Sequence, residues 1–172
     1  MNDIPKPLSE THPHLSGFMD FLADFNKETE RGAALAAAAM LDEQLARIIE
    51  SFLIPNKGSK ALIDGFNAPL GTFSARIASS FALGLLSEVE YRECELIRKV
   101  RNEFAHQIKV SFKSEKVASL CALLQLSAKS YSDVHVDTRG QFTTAAVALI
   151  LNLTNRPHYV GQKRLQVENW RT

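Results

Sequence analysis

The chain has 172 residues, with a hydrophobic fraction of 45% and a charged fraction of 23%, the balance of a soluble globular domain able to bury a single core. A net charge of +1 excludes a strongly basic, histone-like binder. Two cysteines, Cys94 and Cys121, exclude a disulfide framework, so both are expected as reduced core thiols in a cytoplasmic protein.

The charge is unevenly spread. Residues 1–91 carry 7 Lys or Arg against 12 Asp or Glu, and residues 92–172 carry 13 against 7. A basic C-terminal half suits nucleic acid or an acidic partner, and suits equally well neutralisation by the other half within the fold or across a dimer.

Residues 1–15 hold Pro5, Pro7 and Pro13 and read as an irregular arm. The arm has no basic start followed by an apolar run, so no secretory leader is expected. Its His12 and His14 have no third ligand nearby, so they read as solvated rather than metal-bound. The region 16–155 reads as one helical domain. Ser16 is expected to cap a short helix with Phe18, Phe21, Leu22 and Phe25 on one face. A long helix from Glu30 to about Leu53 comes next. Its alanine run, AALAAAAM, combines high helix propensity with a surface that admits close packing, and Pro55 and Gly58 are expected to end it.

Pro69 and Gly71 then bend the chain between a short turn, Ala61–Phe66, and a helix opening near Thr72. Phe73, Ile77, Phe81 and Leu85 recur every four residues, as a buried face would. Ser87 with Glu90 three residues on forms a capping-box signature that opens the central helix near Glu88. On that helix Val89, Leu96, Ile97, Val100, Phe104 and Ile108 share one arc, while Arg98, Asn102 and His106 form a polar row opposite. Arg101 lies between the faces.

The stretch Gln107–Lys113 is expected to be partly extended, and Ser114 to open a helix burying Val117, Leu120, Cys121 and Leu124. A polar span, Ser127–Gly140, precedes a last apolar helix from about Gln141 to Asn155, stopped by Pro157. A basic tail, 156–172, carries Lys163, Arg164, Trp170 and Arg171. The sum is an all-α bundle of about six helices with no recognisable helix-turn-helix. No apolar stretch is long enough to span a bilayer. No phosphate loop, metal-ligand spacing or nucleophile elbow is found, so neither metal nor cofactor is expected.

Three stretches, RGAALAAAAMLDEQL (Arg31–Leu45), GFNAPLGTFSARI (Gly65–Ile77) and LIRKVRNEFAH (Leu96–His106), resemble the mannitol operon repressor family, MtlR or MltR, in content, order and spacing. The resemblance covers roughly residues 16–125. It implies an all-helical, cytoplasmic, bacterial regulator that represses mannitol or related sugar-alcohol genes and lacks a recognisable DNA-binding motif. Its partner is then operator DNA or another regulatory protein. If DNA is contacted directly, Lys109, Lys113, Lys116, Lys163 and Arg164 are the expected phosphate contacts.

A shorter segment, Arg101-Asn102-Glu103-Phe104-Ala105-His106, is similar to the R-N-x-x-x-H signature of HEPN domains, which implies an alternative: an RNA-binding or metal-independent ribonuclease module. A histidine can move the 2′-hydroxyl proton while an arginine holds the phosphate. Arg101 and His106 leave one ideal helix about 140° apart, so joint action needs a second surface. Structural packing explains the same residues, and the regulator is the leading reading, with no enzyme activity.

Arg76 sits in an apolar helix. It is expected to pair with an acid such as Asp42 or Glu43, or else to line an anion pocket with Arg98 or Arg101; Arg31 competes for the same acids. The alanine face Ala33–Ala39 and the polar row both suggest a helix–helix contact in a homodimer. Asn102 is expected to bridge the central helix to a neighbouring helix or to a second protomer through its amide.

Overall fold

The computed structural model describes residues 15–170. The helices are α1 (Ser16–Phe25), α2 (Glu30–Phe52), α3 (Lys57–Ile63), α4 (Phe73–Ala82), α5 (Glu88–His106), α6 (Glu115–Ala122), α7 (Thr138–Thr154) and α8 (Arg156–Gly161). Among the described residues there is no strand, only an isolated bridge between Tyr131 and Val134. The bundle is all-α as expected, with short α3 and α8 added to the main helices.

The hub is α2 rather than the central helix singled out in the sequence. It packs against α1, α3, α4, α5, α7 and α8. The reason is its small-residue surface: Ala33, Ala34, Ala37 and Ala38 are buried, and continue into Leu41, Leu45, Ile48 and Ile49. Methyl groups let neighbouring backbones approach on several sides, and the leucines and isoleucines supply the burial, about 1.5–3 kcal/mol each. The alanine face is therefore consumed inside one chain, which removes it as a ground for a dimer.

Helix α5 lies antiparallel to α2, because Arg31 in the first turn of α2 reaches the last turn of α5. Its capping box is formed: Ser87 Oγ accepts from the Glu90 N–H, and the Glu90 carboxylate accepts from the Ser87 N–H at 2.8 Å. Ile97, Val100 and Phe104 are buried as the periodicity predicts. Leu96 is only partly buried, and two members of the predicted stripe are exposed. Val89 sits in the first exposed turn, and Ile108 lies past the helix end, 93% exposed.

Other boundaries shift for local reasons. Ser16 is the first helical residue of α1 and provides no side-chain cap. Asn56 caps α3 by accepting from the Ser59 N–H, so a helix starts earlier than Ala61 and contains Gly58. In α4, Phe81 is 39% exposed and stacks on Tyr91 rather than entering the core, with ring centroids 4.3 Å apart. Gly84, at φ +70°, closes α4: its N–H and that of Leu85 return to the carbonyls of Phe81 and Ser80.

Asp137 caps α7 through the Gly140 N–H, starting it at Thr138. Pro157 does not stop the chain's helicity. It occupies the first turn of α8, where a missing N–H costs nothing. The tail beyond α8 is partly docked: the Leu165 N–H reaches the Phe52 carbonyl at 2.8 Å, and Arg164 Nε the Ser51 carbonyl at 3.0 Å. The arm's residues 1–14, with His12 and His14, and Arg171 lie outside the described residues. Among those described, no helix is long and apolar enough to cross a membrane.

Candidate interaction surfaces

The five residues of the expected polar cluster do not converge. Arg76 Nη1 pairs with Asp42 at 2.8 Å and its Nε donates to the Leu70 carbonyl at 2.8 Å. It thus ties α4 to α2 and to the preceding loop, and does not line an anion pocket with Arg98 or Arg101. Arg98 makes a two-pronged bond to Glu95 on its own helix, at 3.0 and 2.8 Å, which raises its already high pKa. Arg101 donates to Asn102 Oδ1 at 3.0 Å. That neighbour is the hydrogen-bond partner the Asn102 amide has among the described residues, so it bridges no helices. His106 is exposed at the end of α5.

The five expected phosphate contacts occupy opposite poles. Lys109 and Lys113 are exposed beyond α5, and Lys116 pairs with Glu103 at 2.6 Å. Lys163 and Arg164 lie at the C-terminal end of α2, where Arg164 meets Ser51. At 1.5 Å per residue, the twenty residues from Arg31 to Ser51 separate these poles by about 30 Å.

The Arg76–Asp42 pair is the one expected from the sequence, but the contacts of Arg31, Glu30, Glu93 and Arg156 were missed, because their partners lie dozens of residues apart. Arg31 does not take Asp42 or Glu43. It donates to the carbonyls of Phe104, Gln107 and Ile108, closing the C-terminal end of α5. The neighbouring Glu30 accepts from the Phe112 N–H at 3.0 Å. At the other pole Arg156 binds Glu90 at 2.6 and 3.3 Å and the Leu85 carbonyl at 2.9 Å. Burial pushes the Glu90 carboxyl up. The hydrogen bonds from Arg156 and Ser87, with the charge of Arg156, outweigh that and hold it below the usual carboxylate range.

Glu93, 1% exposed, differs. It accepts from the backbone N–H groups of Gln125 and Leu126 at 2.7 and 3.3 Å, fastening the corner after α6. Burial raises its pKa, and the two N–H groups and the charge of Lys129 only partly offset the rise. The thiols are buried; desolvation pushes Cys121 up to about 12 and Cys94 higher still, so neither is a ready nucleophile. Among the described residues, no three His, Cys, Asp or Glu side chains gather as metal ligands.

Two clefts stand out. One, of about 410 Å³, runs between α5 and the end of α6, with Leu96 and the 64% exposed Leu123 as apolar surface and Arg92 and Lys99 beside them. The other, of about 730 Å³, lies between the end of α2, α3 and Arg164, with Ile54, Pro55 and Ile63 in its lining. Beside it projects the loop 64–72. Gly65 at φ +110° and Asn67 at φ +60° turn Phe66 outward, 98% exposed.

No family model matches the chain, and a search of curated proteins finds no match. Among solved structures, a chain of the X-ray structure of the MtlR-HPr complex from Escherichia coli is similar to it, with a TM-score of 0.58 at 20% identity. The alignment covers 83% of this chain and 96% of that one. At this identity the likeness shows a shared fold.

Proposed function

We propose that the chain is an MtlR-like regulator of mannitol or related sugar-alcohol utilisation, a repressor that acts in the bacterial cytoplasm by binding a protein partner of HPr type. The observation that carries this reading is the fold likeness, which spans nearly the whole of the neighbour's chain in a complex with HPr. The three sequence stretches that resemble the mannitol operon repressor family point the same way, while no family model matches the chain. The geometry favours a protein partner over direct operator reading, since the candidate phosphate contacts divide between two distant poles. The α5–α6 cleft, apolar at Leu96 and Leu123 and bordered by charges of both signs at Arg92, Lys99, Glu93 and Glu95, has the mixed character of a transient protein interface.

Calorimetric titration of the purified chain with HPr tests the reading. Saturable binding, weakened at least tenfold by Leu123→Glu, is expected. Absence of binding, together with a salt-sensitive mobility shift of operator fragments, would replace it with direct DNA contact through Lys109, Lys113, Lys116, Lys163 and Arg164.

A second reading, the HEPN-like ribonuclease, is favoured by one observation: neither Arg101 nor His106 has a carboxylate partner among the described residues. Metal-free cleavage of a structured RNA, abolished by His106→Ala, would establish it in place of the regulator.

A further inference from the structure

The loop between α3 and α4 is built to hold an aromatic ring in water. Its backbone closes on itself, with the Leu70 N–H on the Leu62 carbonyl at 2.8 Å and the Gly71 N–H on the Ala68 carbonyl at 2.9 Å. Arg76 fixes Leu70 from outside and is itself held by Asp42. Left-handed residues flank the tip, and one of them, Asn67, is not glycine. A loop so constrained does not fold Phe66 back against the protein, yet exposing a phenyl ring loses its burial. Neither the regulator reading nor the ribonuclease reading uses this residue.

Two residues before Phe66 the surface falls into the 730 Å³ cleft, whose lining includes Ile54, Pro55 and Ile63. Knob and hole therefore adjoin on one face. Charges of both signs surround the hole: Glu50 and Asp64 against Lys57, Lys60 and Arg164. Such a rim has no strong field of one sign to attract a uniformly charged partner. It complements a copy of itself, because a two-fold axis sets the acids of one chain against the bases of the other.

We propose that this face is a two-fold interface between two copies of the chain, the Phe66 ring of each entering the Ile54–Ile63 cleft of the other. A stable interface needs roughly 800 Å² from each partner, and a buried phenylalanine gives about 150–250 Å². The exposed flank of α3, with Leu62 and Lys60, supplies further area around the ring. The pair is isologous, so assembly stops at two.

Sedimentation of the full chain at micromolar concentration should give twice the 19.1 kDa chain mass. Phe66→Glu should give the single-chain mass with an unchanged far-ultraviolet spectrum. Mixing the Phe66→Cys and Ile54→Cys proteins under oxidation should yield a covalent heterodimer that neither gives alone, since the native thiols are buried. This cross-link decides the matter if Phe66→Glu unfolds. A single-chain mass for the wild type, a dimer that survives Phe66→Glu, or no heterodimer-specific cross-link would each overturn the proposal. A monomeric wild type whose HPr binding is lost in Phe66→Glu would overturn it too, and would assign the ring to that partner instead.

Discussion

At its N-terminal end α5 is fastened by a carboxylate, and at its C-terminal end by a guanidinium. Glu90 accepts from Ser87 and Arg156, where the helix dipole favours negative charge; Arg31 donates to three carbonyls, where it favours positive charge. Both anchors come from or reach to distant segments, so each welds α5 to the bundle. The difference lies in what is left when an anchor is lost. Removing Glu90 strands the partly buried cation Arg156, whereas removing Arg31 strands carbonyls near the surface, which water can reach.

The largest expected effect comes from that difference. Glu90→Ala should destabilise the fold by roughly 3 kcal/mol, and Arg31→Met by about 1–2 kcal/mol, read from denaturant midpoints. Equal losses would mean that the two ends are not distinguished by burial.

Acid sharpens the comparison. Glu90 has a folded pKa below its unfolded value of about 4.3. Its stabilisation is therefore complete above that value and is lost as pH falls through the folded pKa. The Arg31 end is held by backbone carbonyls rather than by a carboxylate, so it holds in acid. Glu93, three residues on, has a folded pKa raised above its unfolded value. Its ionised form costs stability at neutral pH, and that cost disappears as pH falls through the folded pKa. Relative to wild type, the advantage over Glu90→Gln should shrink in acid while that over Glu93→Gln grows. Parallel profiles would contradict the assigned environments.

The smallest effect belongs to the polar row between the two ends. Asn102→Ala should change stability by no more than about 0.5 kcal/mol, because among the described residues its amide meets only the adjacent Arg101. A loss well above 1 kcal/mol by thermal or chemical melt would point to a contact beyond the single chain.

The features legible in the sequence were local, with one exception, the Arg76–Asp42 pair. The cap at Ser87, the helix opening near Thr72 and the stripe Ile97–Val100–Phe104 come from spacing, and the Arg76–Asp42 pair comes from the cost of burying a lone charge. The features that were not legible depended on which helices become neighbours. Nothing in the stretch around Arg31 says that it meets residues more than seventy positions later, and Glu90 reads as a cap without revealing Arg156. The alanine run announced close packing but not its partner, and that partner proved to be the chain's own helices. Of the candidate site, the residues were visible but their separation was not. Arg98, Arg101 and Arg76 each satisfy different neighbours, and periodicity on one helix carries no information about the others.

The Arg156–Glu90 bond also sets an order of events during synthesis. Glu90 and the whole of α5 leave the ribosome before the roughly fifty further residues that end in Arg156. At about 5–20 residues per second, that interval lasts about 3–10 s. For its duration the Glu90 carboxylate has its Ser87 partner but not its cation, and α2 waits for α7 and α8 to complete its cover. Closure of the bundle is thereby deferred until Arg156 has emerged, and the intervening species is the one on which a chaperone or a second nascent chain can act.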